Sequence, residues 1–168
     1  DREGLAKPES EQMALDAMLT LNRAACDTMV QYKVHAVTDV TGFGMMGHLL
    51  EMAQGADVDI NIDADNIQLI PGVRDIAKLG LLPAGEYRNR HFAEMEVDAP
   101  GVPLDLMDVL FCPETSGGLM IAVDPQDAPA LLDALKANDE VMYVSEVGSV
   151  AEHTAGKRIH VHSSETVV

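Results

Sequence analysis

Thr38-Asp39-Val40-Thr41-Gly42-Phe43-Gly44 is the stretch on which the fold reading turns. Ahead of it, His35-Ala36-Val37-Thr38 predicts a short strand. Behind it, Met46, Leu49, Leu50 and Ala53 recur at helical spacing, and Gly55 is placed to end the helix. A strand therefore feeds a glycine-bearing turn, and the turn feeds a helix N-terminus. Toward the amino end, Ala14, Ala17, Met18, Leu21, Ala24, Ala25 and Thr28 share one helical face, predicting a single helix from a Ser10 cap to about Tyr32. Toward the carboxyl end, Asp57 to Asp63 alternates strictly, with Val58, Ile60 and Ile62 on one side. That is the pattern of a half-buried strand with a solvated acidic face of Asp57, Asp59, Asn61 and Asp63.

The rest of the chain continues the interleaving. Val73 to Leu79 predicts a helix closed by Gly80, and Leu104 to Leu110 another. Residues 81–103 carry Arg88, Arg90 and His91 but no strong period, which predicts a long loop. Leu119 to Val123 is an apolar run suited to a strand covered on both faces. A helix then starts at Pro125 or at Ala128, and Pro129 favours the second start. Its buried stripe is Leu131, Leu132 and Leu135. Val141 to Val147 and Arg158 to Val161 predict two final strands. The expected fold class is α/β, with helices layered on a mixed sheet. Residues 1–9 read as a linker or tail, 10–162 as one domain, and 163–168 as a polar tail.

Composition narrows the function classes. The 168 residues carry 28 acidic against 11 basic side chains, a formal charge of -17. Such a surface repels phosphate backbones and anionic lipids, so neither nucleic acid nor a membrane is an expected partner. No apolar run approaches the ~20 residues of a spanning helix. No basic-then-apolar leader opens the chain, and the start at Asp1 rather than Met suggests a piece of something longer. Cys26 and Cys112 lack CxxC spacing and cannot close a zinc site alone, so a reducing, cytoplasmic setting is expected.

Three places could carry chemistry. The first is the Asp39 turn. Free N–H groups at a helix start favour anions, and a carboxylate beside them is useful through a divalent cation; Mg2+ takes one or two carboxylates together with phosphates and water. The alternative is that Asp39 only caps the helix and Gly42 and Gly44 only permit a tight turn. The second is Thr115-Ser116-Gly117-Gly118, either a nucleophile turn or a tight entry into a strand. The third is His160 with His162, on one face of a strand, either a solvated pair or part of a metal site.

Beyond single residues, Ala36-Val37-Thr38-Asp39-Val40-Thr41-Gly42-Phe43-Gly44-Met45-Met46-Gly47-His48-Leu49-Leu50-Glu51-Met52-Ala53 resembles the C-terminal domain of the selenophosphate synthetase (selenide, water dikinase) family. Thr20-Leu21-Asn22-Arg23-Ala24-Ala25, Leu69-Ile70-Pro71-Gly72, Arg88-Asn89 and Thr115-Ser116-Gly117-Gly118-Leu119 extend it in order. The resemblance implies a PurM-like fold and a dimeric enzyme that makes selenophosphate from selenide, ATP and water, with AMP and phosphate as by-products. It implies Asp39 as a Mg2+ ligand, with ATP, the catalytic Cys or selenocysteine and the other metal ligands belonging mainly to an N-terminal domain absent from this chain. Neither Cys26 nor Cys112 has the nucleophile's context. Glu86-Tyr87 and Cys112-Pro113-Glu114 depart from the family pattern. The chain alone is expected to be inactive. Another PurM-like ATP-dependent synthetase domain and a non-catalytic dimerisation module are the alternatives.

Overall fold

The computed structural model describes residues 4–165. Residues 1–3 and 166–168 of the two expected tails lie outside them. In chain order the described residues form α1 (Pro8–Leu19), α2 (Arg23–Met29), β1 (Val34–Asp39), α3 (Gly44–Ala56), β2 (Val58–Asp63), α4 (Val73–Lys78), α5 (Ala84–Ala93), β3 (Val97–Asp98), α6 (Leu104–Phe111), β4 (Leu119–Val123), α7 (Ala128–Lys136), β5 (Gly148–Glu152) and β6 (Ile159–His162). Short 3-10 turns occupy Ala64–Asn66 and Glu94–Glu96.

Two sheets organise these elements. The larger runs in the order β3-β6-β2-β5 and is mixed: β6 is parallel to β2 and β3, while β5 is antiparallel to β2. Ile60 and Ile62 of β2, Val97 of β3, and Ile159 and Val161 of β6 pack against Met46, Leu49, Leu50 and Ala53 of α3 and Leu106, Leu110 and Phe111 of α6. Each large side chain fully removed from water here contributes roughly 1.5–3 kcal/mol. The smaller sheet is the antiparallel ribbon β1-β4. Leu119, Ile121 and Val123 of β4 join a second cluster with Met29 of α2 and Leu131 and Leu135 of α7, whereas Met120 joins the main core. The ribbon thus links the two cores, and its free end carries the Asp39 turn.

Several expectations need correction. The helix over 10–32 is two helices, broken at Thr20-Leu21-Asn22; α1 starts at Pro8, and Ser10 is buried, its hydroxyl donating to Pro71 O at 2.9 Å. A tertiary acceptor outbids the cap. Gly55 stays inside α3, and Asp57 takes the left-handed terminal position at φ 56°. The segment 81–103 is no loop: α5, a 3-10 turn and β3 fill most of it, because Ala93 and Val97 are needed in the main core. Residues 141–147 are not a strand; pairing with β2 begins at Gly148. β4 is half-buried throughout, in a two-stranded ribbon rather than a sheet interior. The α7 start at Ala128 stands, although Asp127 gives its carboxylate to Lys33 N at 2.8 Å instead of capping. Residues 163–165 are no loose tail: Ser163 and Ser164 bond Asp65, and Glu165 pairs with Arg74 at 2.9 Å.

Candidate functional site

The turn after β1 is built by main-chain bonds from three directions. Val40 N donates to Gly118 O and Gly117 N to Val40 O, both at 2.9 Å. Glu114 N and Gly44 N both donate to Thr41 O, at 2.9 and 3.0 Å. The Asp39 turn and the Thr115–Gly118 turn, separate in sequence, are therefore one structure. Two glycines are required by it. Gly44 sits at φ +66°, and a Cβ there would lie 2.6 Å from Cys112 O. A Cβ on Gly117 would collide with Val40 O.

Two asparagines fasten the assembly. Asn22, freed by the break between α1 and α2, donates through Nδ2 to Gly117 O at 2.9 Å. Asn89 of α5 donates through Nδ2 to both Gly42 O and Phe111 O at 3.0 Å. Every segment that carried the resemblance, apart from Leu69–Gly72, is thus drawn to this turn. Asn22 and Asn89 were legible only as members of those segments; composition gave them no chemical role.

Asp39 ends β1, opposite Leu119. It is exposed, and among the described residues no hydrogen bond or ion pair engages its carboxylate. The capping alternative does not describe it: the residue preceding α3 is Phe43, and no side chain caps that helix. Two residues on, the Thr41 hydroxyl lies 3.1 Å from His48 Nε2, and His48 Nδ1 lies 2.9 Å from Glu51 Oε2. His48 is buried, with the Phe43 ring edge-on at 5.6 Å. Phe43 in turn stacks on Phe92 at 5.7 Å. Nothing in the sequence reading singled out His48 or Glu51; their i,i+3 spacing was the available signal.

The other candidates part company with the turn. Ser116 is exposed with no imidazole bonded to it among the described residues, so the second motif works through its main chain. His160 Nδ1 is 3.9 Å from Asp98, and His162 is exposed on the same strand face. Among the described residues no group of three or more His, Cys, Asp or Glu is set to hold a metal ion. The acidic strand face is solvated at Asp57 and Asp63, as expected, but not at Asp59. Asp59 is buried and accepts from His153 Nδ1 at 2.6 Å, which holds its carboxyl below the ordinary range. Asp57 pairs with Arg158, and Asp63 accepts from Asp65 N. Arg88 and His91 are exposed, while Arg90 turns inward to Glu86 at 2.9 Å and to Asp108, with its guanidinium 4.7 Å above the Phe111 ring. Cys112 is a free thiol pushed up to about 11, first by burial and then by Glu114, Glu86 and Asp108. A thiol so disfavoured as thiolate is no nucleophile at neutral pH.

The donor set at the turn consists of hard oxygens, one unengaged carboxylate and a hydroxyl. That fits Mg2+ in a site completed by phosphate, water or another carboxylate, and it cannot hold the ion alone.

Comparison with known proteins agrees with this architecture. The family described as AIR synthase related protein, C-terminal domain matches residues 1–161. A selenide, water dikinase of Treponema denticola is 41% identical over 131 residues, covering 78% of this chain and 37% of that protein. One from Clostridioides difficile is 35% identical over 141 residues, covering 83% and 40%. Selenide, water dikinase 2 of Peptoclostridium acidaminophilum is 33% identical over 164 residues, covering 98% and 45%. The chain spans less than half the length of each of these curated relatives. Among solved structures, E. coli HypE, a hydrogenase maturation protein, superposes with TM-score 0.58 at 21% identity, over 85% of this chain and 36% of that one. Thiamine monophosphate kinase of Aquifex aeolicus gives 0.51 at 15%, over 99% and 44%. The α/β, PurM-like fold expected from the sequence is the fold found. Among the described residues no helix is long and apolar enough to cross a membrane.

Proposed function

This chain belongs to the AIR synthase related protein, C-terminal domain family, and on that premise we propose that it is the C-terminal part of a selenide, water dikinase. The intact protein would convert selenide, ATP and water to selenophosphate, AMP and phosphate, in the cytoplasm and as a dimer. An N-terminal domain would supply the nucleophile and most of the ATP site. This chain would supply one wall of that site, with the Asp39 carboxylate as a ligand of the nucleotide's Mg2+.

The observation that carries the reading is the state of Asp39. It is exposed at the mouth of a rigidly fastened turn, with no protein partner among the described residues. Phosphoryl transfer depends mainly on position and charge neutralisation, so one well-placed carboxylate can be necessary without being sufficient. When bound, the cation neutralises phosphate charge that a protein of formal charge -17 would otherwise repel. The turn's work is to hold Asp39 still. Relatives named selenide, water dikinase and the segments gathered around the turn support the reaction assigned.

The test uses the intact protein. Asp39→Asn lowers selenide-dependent AMP formation at least tenfold, about 1.4 kcal/mol of transition-state stabilisation. Unchanged turnover at saturating Mg2+ removes the metal-ligand role. This chain by itself is expected to consume no ATP with selenide, and clear activity would contradict the assignment of the missing half.

A further inference from the structure

We infer that His48 is a positioning residue that fixes the Thr41 hydroxyl as an outward-facing acceptor beside Asp39, for a divalent cation or the water such a cation holds. The inference rests on the reading of Asp39 given above and adds two residues to it.

The chemistry follows from which atoms can give a proton. Glu51 Oε2 is a carboxylate oxygen and only accepts, so His48 Nδ1, 2.9 Å away, is the donor. A neutral imidazole then carries a lone pair on Nε2. The group 3.1 Å from that position is the Thr41 hydroxyl, which donates to it when the imidazole is neutral. Its hydrogen is turned inward, and its remaining lone pairs are left for the side away from His48. A hydroxyl oxygen that only accepts suits a cation or a cation-bound water and is ill-suited to a phosphate oxygen.

The geometry is held firmly. Helical side chains lean toward the helix N-terminus, so His48, in the second turn of α3, reaches back to the residue that begins the turn. The imidazole is buried, with Phe43 edge-on to it and Phe43 stacked on Phe92. Thr41 itself is fixed by its carbonyl, which accepts from both Gly44 N and Glu114 N. The hydroxyl rotor is the remaining freedom, and His48 removes it.

The experiment titrates Mn2+ into the intact protein with a non-hydrolysable ATP analogue, following bound metal by electron paramagnetic resonance. Thr41→Val and His48→Ala are each expected to weaken Mn2+ binding about fivefold, and the double variant to be no weaker than Thr41→Val within twofold, because one unit is being removed. Thr41→Ser retains binding, and His48→Gln restores part of it by offering an acceptor to the hydroxyl. Glu51→Gln, at a half-exposed position, weakens binding about twofold. A merely structural brace would lower melting temperature without this pattern. If Asp39→Asn weakens Mn2+ binding but Thr41→Val does not, the inference is wrong and the Asp39 reading stands. If His48→Ala weakens binding while Thr41→Val leaves it intact, the relay is equally wrong. Should His48→Ala fail to fold, unchanged binding in either Thr41→Val or Glu51→Gln overturns the inference. If Asp39→Asn binds Mn2+ like the parent, the Asp39 reading falls and takes this one with it.

Discussion

Two charged regions flank Gly44 and treat their carboxylates in opposite ways. Between α5 and α6, Glu86 and Asp108 are buried around Arg90, whose guanidinium also covers Phe111. At the end of β1, Asp39 stands exposed and unengaged among the described residues. A charge taken out of water must find partners, so the buried cluster is committed to holding the fold. One atom there escapes that rule: Glu86 Oε2 has no hydrogen-bond partner among the described residues. Asp39, with no partner among the described residues, remains available to a ligand. Asn89 couples the regions, since its single amide nitrogen serves both Phe111 O, at the end of α6, and Gly42 O in the turn.

The comparison breaks most sharply at Arg90. Arg90→Ala strands two buried carboxylates and is expected to cost roughly 3–5 kcal/mol, read from the urea midpoint at constant slope. A loss below about 1 kcal/mol would mean that the cluster does not hold the fold. Next in size is Asn89→Ala, which leaves two carbonyls without their donor and is expected to cost about 1–3 kcal/mol. Hydrogen exchange should also quicken at Val40 and Gly44; protection unchanged at both would show the regions to be uncoupled.

Cys112 sharpens the picture through pH. Burial, followed by Glu114, Glu86 and Asp108, raises its thiol from 9.0 to about 11. The folded state therefore holds this proton more tightly than the unfolded chain. The associated stability is complete below about pH 9 and falls as pH rises toward about 11. Cys112→Ala should flatten the stability curve in that window. Alkylation of the native thiol at neutral pH should run at least roughly tenfold slower than in urea. Equal rates would deny the half-buried, anionic setting. The smallest effect belongs to Asp39. Asp39→Asn should leave unfolding free energy within about 0.5 kcal/mol of the parent, and a larger loss would make it a folding residue after all.

Local pattern made much of this legible. The strand–turn–helix around Asp39, the alternation of β2 and the stripe of Leu131 and Leu135 are all recorded by residues within one or two turns of each other. The expectations that failed concern long-range competition. Ser10 prefers a carbonyl 61 residues away to its own helix start. Asp59 finds His153 across the sheet and leaves the solvated face. The stretch 81–103 folds because a core built elsewhere needs Ala93 and Val97. For the candidate site, Asp39 and both turns could be singled out in the sequence, but His48, Glu51 and the hydrogen bonds of Asn22 and Asn89 could not.

The amino-acid order by itself determined the element types near the turn, the acidic character, and the motif set that places the chain in its family. Those are properties of neighbours along the chain and of summed composition, which need no third dimension. Only the tertiary structure decided that the two glycine turns form one body, that Arg90 is spent on Glu86 and Asp108, and that Asp39 is left without a partner among the described residues. Whether a charge is engaged depends on which distant side chains fill the few ångströms around it, and that is fixed only when the layers pack.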